Sequence, residues 1–488
     1  MSEPSIPRTG WASLKDLNRY QWFVFVVCCM AWDLDCLDQQ LFVLARQPAL
    51  STLVGEPAKS SKVAELGGYA MSAEEVKELE KIKASKVAEL GGYATAVFMI
   101  GWAIGGIGFG ILGDRLGRVK TLTITIGLYA LFTGLSALST NQYDFMAYRL
   151  LTGLGVGGAF AAAVVLLAET VPENSRPYIL GMFQASSVLG NCSAALISMY
   201  LGSLQKDGVF PQDGWLKPWR VMFLIGILPG ILLVVVQFTL REPDKWLAMR
   251  AAEEKGLKPA PWSAFFGTLT TMLSTPPWSQ RAIFGLLLTG AGVIGLWGIG
   301  FFASDLTGLA LESTLKAEGF VGDGLKGETG RWRGITSLMQ NLGAFLGIFA
   351  FSWVTGMLGR RPAFAIFLVL AAAMTAYTFW FLKTRSDIFW MIPLMGFCQL
   401  ALFGGYAIYL PELFPTRYRS TGTSFCYNAG RLLAATGPFT LAQLTSSVFD
   451  GYGNDAFRYA GVSMCSVFLL GLLALPFLPE TKGKPLPE

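Results

Sequence analysis

The sequence is built from long runs of apolar residues, each roughly 20 residues, the length that an α-helix needs to cross a bilayer. Polar segments rich in arginine, lysine and glycine separate these runs. A spanning segment must satisfy its own backbone hydrogen bonds, so the sequence predicts an all-α membrane protein with twelve transmembrane helices. The predicted helices lie at residues 20–44, 93–113, 121–139, 144–168, 178–203, 219–240, 281–304, 334–357, 363–383, 388–411, 421–447 and 457–478.

Composition agrees with a membrane protein and excludes several functions. Hydrophobic residues make up 53% of the 488 and charged residues 15%, against roughly 25% charged in soluble proteins. The net charge of +5 is modest, so nucleic-acid binding is not indicated. Neither a metal-ligand cluster, nor a nucleophile–base constellation, nor a phosphate-binding P-loop is found. We therefore expect neither an enzyme nor a cofactor.

Three short patterns occur twice, about half the chain apart. The pattern E-x-x-P-x-x-x-R stands at 169–176 and again at 412–419. Gly-Arg pairs at 117–118 and 359–360, and aromatic-Arg pairs at 219–220 and 457–458, repeat at nearly the same offset. The chain therefore reads as two related six-helix halves, residues 1–246 and 281–488, joined by a cytoplasmic linker at 247–280. Such repeats are typical of transporters with a midplane site.

The distribution of positive charge predicts the orientation. Most arginines and lysines between the runs fall on one side, which the positive-inside rule makes cytoplasmic, together with both termini. We expect a multi-pass protein of the plasma membrane that works as a monomer. Two outer loops are long, 47–92 and 305–333. The first contains a ten-residue duplication, 61–70 and 85–94, and a predicted short external helix that ends at Gly91-Gly92.

Several strings resemble the major facilitator superfamily over essentially the whole chain. The string 110–120 (G-I-L-G-D-R-L-G-R-V-K) resembles its signature loop between helices two and three. The strings 148–157 (Y-R-L-L-T-G-L-G-V-G), 412–415 (E-L-F-P) and 479–483 (P-E-T-K-G) are similar to the sugar-porter and metabolite:proton symporter branch. The resemblance implies a secondary carrier that works by alternating access.

The resemblance also implies a cytoplasmic gate of ion pairs between the halves. Glu169 with Arg176, and Glu412 with Arg419, are expected to pair, and Gly356 stands where the second half would carry the acid of the first, so the gate is expected to be asymmetric. The alternative is that these charges only set topology. The predicted gate residues are Asp114, Arg115, Gly117, Arg118, Glu169, Arg176, Arg360, Arg361, Glu412 and Arg419.

Acids inside the first helix are candidates for proton coupling, since ionisable groups within spans are costly and usually functional. The chain has no histidine, so a proton carrier would have to be a carboxylate. Asp35 and Asp38 share one helical face, and Asp38 and Arg149 of helix four lie at matching depths, so we predict that these two pair. In the families that the chain resembles, an acid of helix one pairs with this arginine. A purely structural pair is the alternative.

Arg431 of helix eleven is the main indication of substrate. It is predicted to lie near the midplane, where guanidinium would bind a carboxylate. The alternative is a structural arginine held by an acid or by carbonyls. Helix seven lacks the paired glutamines of sugar porters. Amide side chains at suitable depth could bind substrate or bridge helices. They are Asn428, Gln399, Gln340, Asn341, Gln184 and Asn191.

Together these features predict a proton-coupled symporter for a small, anionic organic acid. Arg431 would hold the substrate, and Asp38, assisted by Asp35 and Arg149, would carry the proton. A sugar or polyol porter is the first alternative, favoured by the string at 479–483. A drug efflux antiporter lacks support because the G-P-x-x-G-G string of that branch is missing. A membrane sensor that binds solute without transporting it remains the alternative from another class.

Overall fold

The computed structural model describes residues 10–54, 73–206, 209–210, 214–256, 267–434 and 436–487. Within these residues the chain is helical, and no strand is present, which confirms the all-α prediction. We label the helices at the twelve predicted spans in chain order. They are α1 Arg19–Leu53, α2 Ala73–Leu116, α3 Arg118–Ser136, α4 Gln142–Thr170, α5 Arg176–Lys206, α6 Pro218–Ile225 with Pro229–Thr239, α7 Trp278–Ile294, α8 Gly322–Leu358, α9 Arg360–Phe381, α10 Arg385–Leu413, α11 Arg419–Ala434, and α12 Ala456–Met464 with Val467–Ala474.

Eleven stretches of the described chain are long and apolar enough to cross a membrane, and they include every labelled helix except α11. The described part of α11 ends at residue 434, because 435 lies outside the described residues, so it is too short to count among these stretches. α11 has 16 residues, several of them polar, and it carries Arg431. A further short helix, Gly437–Gln443, follows α11 along the chain. α11 is a polar helix enclosed by its neighbours rather than a lipid-facing one.

The outer segments contain more helix than the sequence led us to expect. α1 continues to Leu53, past the predicted end at residue 44. The predicted external helix does not end at Gly91-Gly92, because α2 runs unbroken from Ala73 through this pair to Leu116. Two glycines cost a helix only about 2 kcal/mol, and the apolar residues that follow must stay hydrogen-bonded in a membrane. The first copy of the duplication, 61–70, lies outside the described residues.

The second long outer loop, 305–333, is also largely helical. Residues Ala303–Ala317 form one helix, and α8 begins at Gly322. In the linker, Asp244–Gly256 and Gly267–Ser274 are short helices, while 257–266 lie outside the described residues. The division into 1–246, 247–280 and 281–488 stays a prediction.

Helix α7 loses regular geometry at its outer end. After Ile294 the chain forms a π-helical turn, Gly295–Ile299, and then a 3₁₀ turn, Gly300–Phe302, before the helix at Ala303 begins. Five of the eight residues 295–302 are not glycine, so composition alone does not explain the change. π-turns within α-helices often mark functional positions.

Helices α2 and α11 cross between the halves at very short range. Gly106, Gly110 and Gly113 of α2 lie against α11, and a Cβ atom at any of them would collide with a side chain there. Their partners are Asn428, Ser424 and Ser420. The partners run in the opposite chain direction, so the helices are antiparallel. Small residues allow the close approach that membrane helices use to associate.

The two repeated aromatic-Arg pairs have equivalent positions. Arg220 donates to the carbonyl oxygens of Ala137 and Ser139, just past the end of α3. Arg458 donates to those of Phe379 and Leu382, at the end of α9, at 2.9 and 2.8 Å. In each half an arginine near the start of the sixth helix therefore satisfies the free carbonyls at the end of the third.

Candidate functional site

Arg431 is buried at the centre of the molecule, with 3% of its surface exposed. Its guanidinium lies 3.9 Å from the ring centre of Trp102 and 4.4 Å from that of Tyr427. Nη1 donates to Asn428 Oδ1 at 2.7 Å, whereas Nε has no hydrogen-bond partner. No carboxylate of the described chain lies within 4.0 Å of the guanidinium. Among the described residues, Arg431 therefore does not form the structural ion pair that was one alternative to substrate binding.

Aromatic rings surround this arginine. Tyr427 stacks on Phe160 of α4, with ring centres 4.1 Å apart and an interplanar angle of 18°. Trp102 meets Trp297, which follows α7, edge to face at 6.2 Å. Rings from both halves therefore enclose the guanidinium. A planar, partly apolar guest with one negative group would find stacking surfaces and a cation in one place.

Asp35 lies close to this cluster on the side of α1. Its carboxylate is fully buried and interacts electrostatically with Arg431 and with Asp38. Gln39 donates to its Oδ2 at 3.1 Å, and its Oδ1 has no hydrogen-bond partner. Buried polar atoms without partners are rare and costly. Several lie around the centre of the described structure. They are Asp35 Oδ1, Asp38 Oδ2, Tyr129 Oη, Arg149 Nη1, Gln184 Oε1, Trp102 Nε1 and Arg431 Nε.

Asp38 and Arg149 do not form the direct ion pair that we expected from their depths. Both side chains are fully buried, and each binds a different hydroxyl of α3. Thr133 donates to Asp38 Oδ1 at 2.7 Å, and Arg149 donates to Ser136 Oγ at 2.6 Å. An electrostatic attraction between the two charges remains. The sequence does not predict the rotation of α3 about its axis. This rotation brings the hydroxyls of Thr133 and Ser136 within hydrogen-bond distance of Asp38 and Arg149.

Two of the predicted amide side chains meet at the irregular end of α7. Gln340 donates to the carbonyl of Gly300 at 3.4 Å, and Gln399 lies against the same residue. Gln399 also donates to Thr375 of α9 at 2.7 Å. These contacts are helix-bridging, which is one of the two roles that the sequence left open.

The other amides differ in position. Asn428 lies beside Arg431 and donates to the carbonyls of Ser424 and Gly157, at 3.1 and 3.4 Å. Gln184 of α5 is buried with a free Oε1. Asn341 donates to Ser337 of its own helix and is half-buried, as is Asn191. Asn428 is thus the amide that directly contacts the central arginine.

The predicted gate residues assemble at one end of the molecule, which we call the arginine-rich face. There Glu169 is fully buried between two arginines. Arg118 binds it through Nε and Nη2, at 3.0 and 3.1 Å, and Arg419 of the other half donates to its Oε1. Arg118 also donates to the carbonyl of Thr416, across the halves, at 2.9 Å. This cluster ties the two halves together.

Glu412 forms the matching cluster in the second half. Arg360 binds it through Nε and Nη2, at 2.9 and 2.7 Å, and Arg176 of the first half lies 3.9 Å away. The expected pairs, Glu169 with Arg176 and Glu412 with Arg419, were therefore wrong. Glu169 instead accepts a hydrogen bond from Arg419 of the other half, and Glu412 lies 3.9 Å from Arg176. Both arginines turn their Nε to a carbonyl eight residues earlier, Ala168 or Pro411.

The gate is asymmetric, as Gly356 led us to expect. Asp114 accepts hydrogen bonds from the first backbone amides of α11, Ser420 at 3.0 Å and Thr421 at 2.8 Å. A carboxylate at a helix N-terminus is electrostatically favourable. At the equivalent place in the second half, Gly356 lies against the hydroxyl end of the Tyr178 ring. One seam is thus closed by charge and the other by an aromatic ring.

The N-terminal segment adds to the aromatic seam. Residues Gly10–Asp16 form a short 3₁₀ helix. Trp11 lies with its ring centre 4.8 Å from that of Tyr178 and 5.9 Å from that of Phe349, in the other half. Ser13 Oγ lies 3.2 Å from the carbonyl of Asn174, to which it donates. Nothing in the sequence singled out Trp11, because an isolated aromatic in a polar segment carries no pattern.

Two glutamates that the sequence did not single out as gate residues hold the signature turns. Gly117 has a φ of 107° and Gly359 one of 101°. A side chain at either would collide with a carboxylate, that of Glu242 or Glu480. Glu242 accepts from the amides of residues 118–120, and Glu480 from those of Arg360 and Arg361. The repeated Gly-Arg pairs thus need both the left-handed backbone and the absence of a side chain.

Glu480 lies beyond the last span, and its ionisation can be read from its surroundings. Burial alone would raise the pKa of its carboxyl group. The backbone amides of Arg360, Arg361 and Lys482 donate to the charged form, so the pKa lies below its ordinary value. Arg361 donates a 3.5 Å hydrogen bond to the carbonyl of Pro476 and, like Arg115, is half-buried. Arg118 and Arg360, by contrast, bind the buried glutamates of the two clusters directly.

Comparison with known proteins agrees with this architecture. A family model described as "Sugar (and other) transporter" matches residues 54–259. The cis,cis-muconate transport protein of Acinetobacter baylyi is 29% identical over 392 residues, covering 79% of this chain and 84% of that protein. The 4-hydroxybenzoate transporter of Pseudomonas aeruginosa is 25% identical over 458 residues, covering 91% and 92%.

The fold is shared with solved transporters. The structure of a major facilitator proton:xylose symporter superposes with a TM-score of 0.68 at 17% identity, covering 96% of this chain and 98% of that one. At this identity the likeness concerns the fold. With the all-helical architecture and the sequence relatives, it confirms the resemblance seen in the motifs. The chain is a multi-pass membrane protein with the fold of the major facilitator superfamily, and its sequence is similar to those of sugar and metabolite transporters.

Proposed function

We propose that this protein is a proton-coupled symporter that takes up small organic acids, with the substrate carboxylate bound by Arg431. One observation carries the proposal. A fully charged guanidinium is buried at the centre, between the two halves, without a carboxylate in ion-pairing range among the described residues. Leaving such a charge without a counter-ion costs several kcal/mol, which a bound carboxylate would offset.

The rings around Arg431 support a planar acid. Trp102, Phe160 and Tyr427 present flat apolar surfaces next to the cation. Two relatives are named for the transport of muconate and of 4-hydroxybenzoate, both conjugated carboxylates. A sugar would instead need several hydrogen-bonding side chains, and the Nε2 atoms of Gln340 and Gln399 already donate to the Gly300 carbonyl and to Thr375.

Asp38 and Asp35 are the proposed proton carriers. Both are buried in α1, and each has one oxygen without a hydrogen-bond partner. If a proton binds to an acid of α1 and an anion binds to Arg431, the net charge of the cavity does not change. Closure of the cavity around them is then favoured. The network at the arginine-rich face is assembled here, so in this state the central site would reach solvent only from the opposite side.

The test is uptake of labelled acids into proteoliposomes under an inward proton gradient. We expect accumulation of cis,cis-muconate or 4-hydroxybenzoate above that in protein-free vesicles, and none of glucose or xylose. Arg431→Ala should reduce uptake to the protein-free level, and Arg331→Ala, which removes an exposed arginine, should leave it unchanged. Saturable sugar uptake that survives Arg431→Ala would refute the proposal and favour a sugar porter. Saturable binding without flux would indicate a sensor.

A further inference from the structure

One face of α3 supplies hydroxyl groups to the charged residues of the site. Tyr129, Thr133 and Ser136 are spaced i, i+4 and i+7, so they lie along one side of the helix. Thr133 binds Asp38, and Ser136 binds Arg149. The third hydroxyl, Tyr129 Oη, is buried and has no hydrogen-bond partner in the described structure. Two of the three hydroxyls on this face therefore bind a charged side chain, and the third, that of Tyr129, does not.

The register of α1 against α3 identifies the acid opposite Tyr129. Both helices begin at the arginine-rich face, since Gln21 of α1 binds the carbonyl of Thr170 there, and α3 begins at Arg118. They are therefore parallel, and the bond between Thr133 and Asp38 fixes their alignment. One turn back on each helix places Asp35 and Tyr129 at the same level, within about 2 Å by helical rise.

Asp35 is also the acid with an unsatisfied oxygen at this level. Its Oδ1 is buried without a partner, and its charge interacts electrostatically with Arg431 and with Tyr129. The other titratable or charged groups near this pair are Cys36 and Asp38 of α1, Arg149 of α4 and Tyr427 of α11. Asp38 and Arg149 each have one hydroxyl partner on α3, although Asp38 Oδ2 and Arg149 Nη1 are also without a partner. Because Tyr129 lies at the level of Asp35, one turn away from Thr133 and Asp38, we take Asp35 as its partner.

We propose that Tyr129 is a positioning residue that donates a hydrogen bond to the Asp35 carboxylate when a substrate carboxylate binds Arg431. Without substrate, Asp35 interacts with Arg431 electrostatically, without direct contact. An arriving anion on Arg431 repels Asp35, which turns to the phenol or takes up a proton. The phenol therefore allows substrate to bind while Asp35 is still charged. This inference rests on the proposed role of Arg431 in binding the acid.

Tyr129→Phe keeps the ring and removes the donor. We expect KM for the acid to rise about tenfold at alkaline pH, where Asp35 is charged, because a hydrogen bond to a charged group is lost. At acidic pH, where Asp35 is protonated, KM should stay within about twofold of wild type. A merely structural phenol would change KM equally at both pH values. In an Asp35→Asn background, Tyr129→Phe should add no further pH dependence.

Tyr406→Phe is the matched control. Tyr406 is equally buried, but its hydroxyl donates to the carbonyl of Leu288, far from the acids, so its removal should not alter the pH profile of KM. If Tyr129→Phe shows the wild-type ratio of KM at the two pH values, this inference is overturned, although uptake still depends on Arg431. If uptake does not depend on Arg431 at all, it is the proposed function that fails.

A measurement on the unmodified transporter covers the case in which Tyr129→Phe does not fold. Infrared difference spectra, with and without 4-hydroxybenzoate, should show a shift of a protein carboxylate band that is absent in Asp35→Asn. The tyrosine C–O band should shift in the same spectrum. A carboxylate shift without any tyrosine shift would contradict the proposed contact.

Discussion

At the scale of single residues, Arg149 shows how the interior accommodates a charge without an adjacent acid. Its guanidinium lies 4.7 Å from the ring centre of Phe223 and 5.5 Å from that of Phe42, and it is hydrogen-bonded to Ser136. Asp38 stays nearby but is bound to Thr133. The two charges attract each other without contact, so a proton can be added to Asp38 without breaking an ion pair.

Replacing Asp38 with Asn tests the coupling role. We expect loss of accumulation driven by a proton gradient, at least tenfold, because the amide cannot carry the proton, while exchange of labelled for unlabelled substrate continues. Asp144→Asn is the control, since Asp144 is an exposed N-terminal residue of α4 that binds Thr140 and Asn141. Driven accumulation that survives in Asp38→Asn would move the proton assignment to another acid.

At the scale of helices, α11 carries both a part of the inter-half ion-pair network and Arg431, the proposed substrate-binding arginine. Arg419 and the amides that Asp114 binds stand at its start, and Arg431 stands 12 residues further, about 18 Å along the axis. Three glycines of α2 let α11 approach closely over this length. A shift of α11 at the substrate is therefore transmitted to the gate by one rigid element.

Gly110→Val should prevent the arginine-rich face from closing, because its side chain would occupy the space of Ser424. We expect distances between spin labels at Lys120→Cys and Arg417→Cys, exposed positions in opposite halves, to shift to longer values, and transport to fall at least tenfold. Gly108→Val is the control, since nothing lies within 4 Å of a Cβ there. Unchanged distances in Gly110→Val would mean that the crossing is not needed for closure.

The sequence predicted much at this scale and missed details that depend on helix rotation. The lengths of the apolar runs and the repeats predicted the helices, and the string at 110–120 indicated one part of the ion-pair network at the arginine-rich face. The partners of Glu169 and Glu412 were wrong, since the helix breaks before Arg176 and Arg419 turn these side chains toward the other half. Tyr129 and Trp11 were missed, because neither belongs to a motif and both matter only through tertiary contacts.

At the scale of the whole molecule, the two glutamate clusters contribute unequally to closure. Glu169 accepts a direct hydrogen bond from Arg419 of the other half, whereas Glu412 lies 3.9 Å from Arg176. Both are buried, so salt screens them little. The structure is held closed mainly at the first cluster.

Glu169→Gln should therefore open the arginine-rich face more than Glu412→Gln does. With the same spin labels, we expect a larger population of long distances for Glu169→Gln, since it loses an inter-half contact that the other variant largely lacks. Thr481 also donates to Glu412, which makes that glutamate more a part of its own half. Equal populations in the two variants would show that the 3.9 Å pair contributes as much as the direct one.

The aromatic seam formed by Trp11, Tyr178 and Gly356 makes closure of the arginine-rich face depend on temperature. Apolar contacts weaken on cooling, whereas the bonds of Asp114 to the amides of α11 do not depend on the hydrophobic effect. Cooling would thus loosen one edge of the closed face and leave the other intact. Because the two edges of the closed face depend on different interactions, the equilibrium between its closed and open states changes with temperature.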